Sequence, residues 1–198
     1  TMADLLDKLT DTIRSGSIGK ATKRSAKWFQ DKIKGLKGGL RNKFSTTNPD
    51  KFYRESDNKI NPNLLSRRAS LGSLYCYHYD PKYKATLPYY DVFPMIMLIG
   101  VDSDTFLGLN FHYLPPKLRA ILLDRVNAKI AGGVPNWKKI SKIPLVQPAV
   151  HRYRFDQISR KVIQIEKEEE EIAIFLPLER FRKASKSAVW ANSRRRAG

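Results

Sequence analysis

The chain has 198 residues, 41% of them hydrophobic, and a formal net charge of +18 from 37 basic and 19 acidic residues. This length can hold one domain with its own core plus extensions. The longest apolar run, Met95 to Val101, is far shorter than the roughly 20 residues of a membrane-spanning helix, and the first residues lack a signal-peptide pattern. We therefore expect a protein with no membrane span and no membrane partner.

The positive charge is concentrated towards the two ends of the chain. Residues 1–70 contain sixteen basic and seven acidic residues, and residues 180–198 contain seven basic residues and no acidic one. The stretch between them is nearly neutral, with fourteen basic and twelve acidic residues. This distribution is typical of a folded body whose basic extensions bind a polyanion, above all nucleic acid. It predicts a basic helical arm and linker (1–72), a core (73–179) and a basic C-terminal helix and tail (180–198).

Two helices are predicted in the N-terminal arm. The first extends from Thr1 to Ile13, and the second has apolar residues at steps of three and four from Ala26 to Leu40, with lysines in the same spacing on another face. Glycines at 35, 38 and 39 should weaken the end of the second helix, so that it needs a partner. Its basic face has three open interpretations: DNA or RNA backbone binding, membrane-surface binding, or a solvated side of a helix docked on a neighbouring protein.

The segment from Asn42 to Gly72 is rich in Asn, Ser, Asp and Pro and has few apolar residues. This composition predicts a linker, or a loop that lies over a partner.

The core is predicted to be α+β. Strand patterns occupy Leu74–Tyr79, Met95–Val101, Phe106–Tyr113, Val150–Phe155, Val162–Ile165 and Ile172–Leu176. The first alternates strictly and is expected to be half-buried, and a helix should follow Pro115–Pro116 and stop at Gly132–Gly133. Glu166 to Glu171 is interpreted as a charged hairpin tip, and a terminal helix should begin at Pro177. We expect a small, mostly antiparallel sheet or a partly open barrel, with one inserted helix and a C-terminal helix.

Residue patterns typical of catalysis are missing from the sequence, which has no Gly-rich phosphate loop, no Cys or His pair at metal-binding spacing and no nucleophile elbow. Asp102 and Asp104 are interpreted as turn residues between strands rather than Mg²⁺ ligands. The single Cys76 cannot form an internal disulfide and is expected to be a buried thiol. The sequence therefore predicts a protein that is not an enzyme and needs no cofactor or metal.

Tyrosines cluster in the first part of the core beside Lys82 and Lys84. They are interpreted either as exposed surface that stacks on bases at strand ends, or as core residues with their hydroxyls at the rim. No helix has the Arg, Asn and Gln pattern of major-groove readout, so any DNA contact should be with the backbone. The candidate DNA-binding residues are Lys23, Arg24, Lys27, Lys34, Lys37, Arg41, Arg67, Arg68, Lys82, Lys84, Arg194, Arg195 and Arg196.

Three stretches carry a resemblance to a known group. Leu74–Pro94, Phe106–Arg119 and the ending Ile172–Arg196, with its Val-Trp-Ala-Asn-Ser-Arg segment, resemble virion-associated proteins of large contractile-tailed bacteriophages, in particular the DNA end protector family. The resemblance covers about half of the chain, and the residues before Gly72 are outside it.

The resemblance implies a virion protein that binds the termini of linear genomic DNA and shields them from host exonuclease, and that is found in the host cytoplasm during assembly. The alternative is a structural neck, tail or baseplate component whose basic arms bind other virion structural proteins. Either way the chain is expected to be part of a larger assembly.

Overall fold

The computed structural model describes residues 26–130, 136–142, 144 and 146–197. Its helices are α1 Ala26–Gly35, α2 Gly38–Phe44, α3 Pro49–Glu55, α4 Pro62–Arg68, α5 Pro116–Ile130, α6 Trp137–Ile140, α7 Glu170–Ala173 and α8 Lys186–Ala197. Its strands are β1 Lys59–Ile60, β2 Leu74–Cys76, β3 Tyr90–Asp91, β4 Met95–Val101, β5 Thr105–Asn110, β6 Val150–Arg154, β7 Val162–Gln164 and β8 Phe181–Arg182. The first predicted helix, Thr1 to Ile13, and the predicted stop at Gly132–Gly133 lie outside these residues.

The centre of the fold is a six-stranded sheet with the order β1-β7-β2-β4-β5-β6, and β3 pairs with β8 in a separate ribbon. All of these pairings are antiparallel. The apolar run Met95–Val101 forms an inner strand, as its composition predicted. The α+β prediction is confirmed, and of its two forms the sheet is the correct one because β1 and β6 are free edges rather than partners in a barrel.

The sheet has an apolar cluster on each face. Leu74 and Cys76 of β2 point into the main core, a large cluster that also includes Met95, Met97 and Leu122, whereas Tyr75 of the same strand points into the second cluster. The second cluster contains Leu65, Tyr75, Tyr77, Tyr79, Ile96, Leu98, Phe106, Tyr153, Ile158 and Val162. The predicted alternation is therefore correct, but the predicted half-burial is wrong because both faces of the strand are covered.

The basic amphipathic helix packs on its own chain. Trp28 and Phe29 of α1 lie against Phe175, with ring centroids 5.9 and 5.6 Å away. The helix is interrupted after Gly35, and Gly38 begins α2 with φ of +58°, in the left-handed region that favours glycine. The glycines thus divide the predicted helix into two.

The structure corrects the linker prediction for residues 42–72. This stretch contains the end of α2, α3, β1 and α4, and it buries Phe44, Phe52 and Leu65 almost completely. Asn48 caps α3 by accepting hydrogen bonds from the backbone N–H groups of Asp50 and Lys51. A few large apolar residues among many polar ones are enough to attach this segment to both faces of the sheet.

Two predictions near the C-terminal end are wrong. Residues 167–173 form a 3₁₀ turn followed by α7, so the charged hairpin tip and the strand Ile172–Leu176 are absent from this described stretch. The terminal helix begins at Lys186 instead of Pro177 because Phe181 and Arg182 pair with β3. Tertiary strand pairing here overrides the local signal of the proline.

Candidate nucleic-acid interface

The candidate cations of the N-terminal helices lie on an open surface. The side chains of Lys34, Lys37 and Arg41 are exposed, and Lys27 is exposed while paired with Asp31 at 3.0 Å. Lys23 and Arg24 lie outside the described residues. We call this group of exposed cations, Lys27, Lys34, Lys37 and Arg41, the α1–α2 surface.

Two further candidates lie on α4. Arg67 and Arg68 occupy its last turn and are exposed, while Leu65 of the same helix is buried in the second cluster. The α1–α2 surface instead belongs to elements that pack on the main core. The sequence-predicted cations are thus divided between the two faces of the sheet.

A concave site lies at the β6 end of the molecule. It is a cavity of about 450 Å³, which we call the tyrosine pocket. Charged lining residues are Lys82, Asp91, Arg152, Arg154 and Arg196. Six tyrosines line it: Tyr79, Tyr83, Tyr89, Tyr90, Tyr113 and Tyr153.

Several hydrogen bonds fix the walls of the tyrosine pocket. The Lys183 ammonium donates to the carbonyl oxygens of Lys84, Ala85 and Leu87 at 2.7, 3.2 and 2.9 Å and so holds the loop that carries Tyr83. Just beyond this loop, Asn192 of α8 donates to the hydroxyl of Tyr89 at 2.6 Å. The pocket is therefore built by segments that are far apart in sequence.

Helix α8 places Arg196 at the pocket. Its Val189 is fully buried, and the indole N–H of Trp190 donates to the carbonyl oxygen of His112 at 2.8 Å. These contacts anchor the helix, while Arg194, Arg195 and Arg196 remain exposed in its last turn. The predicted basic tail is thus the end of a docked helix.

A buried polar network forms the floor of the pocket. Asp91 accepts from the backbone N–H of Phe93 and Arg180 with one carboxylate oxygen, and its other oxygen contacts Asn110 at 3.1 Å and His112 at 2.8 Å. Burial raises the pKa of Asp91, but the charge and hydrogen bond of His112, with the other donors, leave it below its usual value. The carboxylate is therefore ionised and has its hydrogen-bond partners inside the protein.

The cations of the pocket are partly paired. Arg152 contacts Asp102 at 3.0 Å, and Arg154 contacts Asp156 at 2.8 Å. Lys82 lies over the ring of Tyr83, 5.6 Å from its centroid. Each arginine engages its carboxylate with only part of its five-donor fork, which leaves N–H groups for an anionic ligand.

The histidine of the pocket is neutral at physiological pH. Burial, with a smaller contribution from the charge of nearby Arg196, lowers the pKa of His151 to about 4, although its hydrogen bond with the carbonyl oxygen of Pro148 opposes the shift. The His151 ring lies on Tyr113 with centroids 4.1 Å apart. It serves as part of the wall rather than as a source of charge.

The tyrosines divide between core and surface, and base stacking by the exposed ones stays a prediction. Tyr75, Tyr77 and Tyr79 are buried in the second cluster, so they are core residues. Tyr83 is 64% exposed, and Tyr89 and Tyr90 are half-buried, so these three present ring surface to the pocket. Lys84, the remaining candidate, is exposed and paired with Asp80 at 2.8 Å.

Sequence reasoning missed part of this site. Arg152, Arg154 and Tyr153 of β6 were assigned to a strand and not to the interface. Successive side chains of a strand point to opposite faces, so Arg152 and Arg154 lie on the face opposite Tyr153. An Arg-Tyr-Arg triplet on an edge strand is the sequence signal for this part of the site. That these residues face Tyr83 and Arg196 follows only from the tertiary fold.

The acidic residues considered for catalysis have structural roles. Asp102 lies in the turn between β4 and β5, as predicted, and pairs with Arg152. Among the described residues no group of His, Cys, Asp and Glu is arranged to hold a metal ion, and no helix is long and apolar enough to cross a bilayer. Cys76 is buried, and burial raises the pKa of its thiol, as expected for a structural cysteine.

Comparisons with known proteins place the chain in a class. The class is that of phage proteins that protect DNA termini. Residues 40–194, which contain the antiparallel sheet, match the family described as "Phage T4 terminal DNA protecting protein". The chain belongs to this family, which confirms the resemblance found in the sequence. No curated protein and no solved structure matches the chain.

The matched range contains all strands of the sheet and nearly all of the tyrosine pocket. Helix α1, with Lys27 and Lys34, precedes it, and Arg195 and Arg196 follow it. The matched range thus holds the tyrosine pocket except for Arg196 and, of the α1–α2 surface, only Arg41.

Proposed function

We propose that this protein binds the ends of linear phage DNA without catalysis and protects them from exonuclease. It is carried in the virion and is present in the host cytoplasm while particles assemble. The family match over residues 40–194 carries this proposal. The exposed cations give it a physical basis, because a protein that covers a DNA end needs phosphate contacts and needs neither sequence readout nor chemistry.

The charges support contact with the DNA backbone. Lys34, Lys37 and Arg41 are exposed on one side of the molecule, and Arg67 and Arg68 on another. Each phosphate that they neutralise releases counterions and steepens the dependence of log K on log salt by about 0.9 for duplex DNA. Binding to duplex DNA should therefore be independent of sequence and should weaken steeply as salt is raised.

An exonuclease assay tests this function. The full chain should slow digestion of a linear duplex by a processive exonuclease while leaving internal cutting by a restriction enzyme unchanged. The triple variant Lys34→Gln, Lys37→Gln, Arg41→Gln should protect less and should show a smaller salt slope. Unimpeded digestion at saturating protein would overturn the proposal.

A matched control separates position from total charge. Lys138, Lys139 and Lys142 are exposed lysines on and after α6, and none of them is a candidate residue. Changing these three to Gln removes the same net charge, so this variant should protect DNA ends as the wild type does. If both triple variants lose the same amount of protection, the protection depends on net charge and not on the position of the cations.

A second function has one observation in its favour. Leu40 is 47% exposed beside Arg41, and an exposed apolar residue next to a cation also suits a contact with another virion structural protein of the neck, tail or baseplate. In that case Leu40→Ser and the α1–α2 triple variant should reduce incorporation into particles while leaving exonuclease digestion of DNA unaffected.

A further inference from the structure

We propose that the tyrosine pocket binds a single unpaired nucleotide at the end of a DNA strand, with its base against tyrosine rings and its phosphate on the surrounding cations. This inference rests on the proposed function and specifies how an end is distinguished from the interior of a duplex.

The size of the pocket fits one nucleotide. Its volume of about 450 Å³ is in the range of about 300–1,000 Å³ that is usual for small-molecule sites. A nucleotide is a ligand of this size, whereas a base pair with both of its sugars is twice as large. The pocket therefore suits a terminal nucleotide that has left the helix better than a base pair.

The walls present aromatic surface for a base. Tyr83 is the most exposed of them, at 64%, and Tyr89 is held in place by its hydrogen bond from Asn192. Stacking between bases and aromatic rings is tolerant of sequence because every base has a π-face. A site of this kind accepts any terminal base, as a protector of genome ends requires.

Charge complementarity selects an anionic ligand. Lys82, Arg152, Arg154 and Arg196 are the cations of the lining, and Asp91 is its one acidic residue. Asp91 already accepts from two backbone N–H groups and contacts Asn110 and His112, so its charge is directed into the protein. Because His151 is neutral, the positive charge of the pocket comes from lysine and arginine and persists across the neutral pH range.

The geometry separates this site from the α1–α2 surface. An open cationic surface binds phosphates anywhere along a duplex. A concave site of about 450 Å³ is instead filled by a single nucleotide, and a nucleotide leaves the helix most readily where a strand ends or frays. Filling the tyrosine pocket therefore places the protein on the terminal nucleotide, where an exonuclease must begin.

Binding measurements with hairpin DNA test the proposal. Fluorescence anisotropy should show that a hairpin with a one-nucleotide overhang, 5′ in one probe and 3′ in another, binds about tenfold more tightly than a blunt hairpin, as expected for one stacked base. The polarity that gains affinity identifies the strand end that the pocket takes. A covalently closed duplex of the same length is the control without ends.

Variants of the pocket should remove the preference selectively. Tyr83→Ala combined with Lys82→Gln should reduce the overhang preference to nearly onefold and leave affinity for the closed duplex within about twofold, because stacking is lost but most backbone contacts remain. The triple variant Lys34→Gln, Lys37→Gln, Arg41→Gln should weaken binding to all probes and keep the preference. Tyr83 is largely exposed, and an unchanged thermal melt confirms that the double variant is folded.

The outcomes distinguish this inference from the function on which it rests. If neither overhang binds more tightly than the blunt hairpin, or if the preference survives the pocket variant, the pocket does not hold the terminal nucleotide, although exonuclease protection can still be present. If no DNA end is protected at all, the proposed function itself has failed.

Discussion

The two faces of the sheet differ in the partners of their buried polar groups. On the main-core face, Arg119 is fully buried with a carboxylate and two carbonyl partners. On the second face, the polar groups are tyrosine hydroxyls, and that of Tyr77 is buried without a hydrogen-bond partner among the described residues. On the first face the buried polar groups are thus paired with one another, whereas on the second they are surrounded by aromatic rings.

This difference explains where the candidate site lies. The rings of Tyr77, Tyr79 and Tyr153 meet edge to face, with centroids 5.0 to 5.9 Å apart. The same packing continues outward through Tyr153 and Tyr79, which line the tyrosine pocket. A cluster that buries rings in its interior and presents them at its edge supplies both a rigid support and a binding surface.

The largest expected effect concerns the main-core face. Arg119 donates to the carbonyl oxygens of Leu114 and Ile174, and its guanidinium contacts Glu179 at 3.3 Å. Arg119→Met should lower the free energy of unfolding by about 3–5 kcal/mol because it leaves a buried carboxylate with one partner fewer. Chemical denaturation measures the loss.

A double variant sharpens this test. Glu179→Leu in the Arg119→Met background removes the stranded carboxylate and should recover part of the stability. If Arg119→Met alone is as stable as the wild type, the network does not hold this face together.

The next effect is a pH dependence on the second face. Burial holds the pKa of His151 at about 4 in the folded protein, below the value of about 6.5 expected in the unfolded chain. The unfolded state therefore takes up the proton first, and stability should fall as the pH drops from about 6.5 to about 4.

His151→Phe isolates this contribution. The variant loses the hydrogen bond with the carbonyl oxygen of Pro148 at every pH, but it should not show the loss of about 2–3 kcal/mol between about pH 6.5 and pH 4 that the wild type shows. Parallel stability curves for the two proteins over this range would contradict the assignment. Asp91 and Glu179, whose pKa values are lowered, lose their contributions only at more acidic pH.

A smaller effect tests how closely the strands of the second face pack. A Cβ atom on Gly108 would lie 2.9 Å from the Cβ of Ile96, which is closer than nonbonded Cβ contacts in folded proteins. Gly108→Ala should lower the free energy of unfolding by about 1–3 kcal/mol because the neighbouring strand must shift. Gly100→Ala is the matched control, since its Cβ would meet Leu107 at an ordinary 3.6 Å.

The smallest effect compares two buried hydroxyls within the second face. Tyr77→Phe removes a buried hydroxyl that has no partner among the described residues, so stability should stay the same or rise by up to about 1 kcal/mol. Tyr153→Phe should instead lower stability by about 1 kcal/mol, because that hydroxyl accepts from Asn110 at 3.3 Å. Thermal melts of the two variants give the comparison directly.

Local patterns predicted the parts of the fold in which neighbours along the chain decide the structure. The apolar run of β4, the alternation that sends Leu74 and Tyr75 to opposite faces, and the helix after Pro115 depend on local periodicity and proline chemistry. Ile172 has the same strand-like composition, yet it lies in α7, where consecutive residues are buried together as they also are in the inner strands. Periodicity cannot separate a short buried strand from a short buried helix.

The site was predictable only in pieces. Lys82 and Tyr83 are adjacent in the sequence, and their combination indicated stacking near a phosphate-binding cation. Arg154 and Arg196 are brought to them by strand pairing and by the docking of α8, which no local pattern encodes. The division of the chain into arm, core and tail remains a prediction.

The Lys183 ammonium is surrounded by backbone oxygens of a distant loop. Its three carbonyl contacts resemble the oxygen cage of a cation site, but the cation is tethered covalently and cannot diffuse away. Lys183 has φ of 70°, in the left-handed region that glycine adopts at a lower conformational cost. Glycine at this position would relieve the backbone strain, but it would also remove the three hydrogen bonds that hold the loop of Tyr83. The backbone of residue 183 thus favours glycine, whereas the order of the distant loop requires lysine.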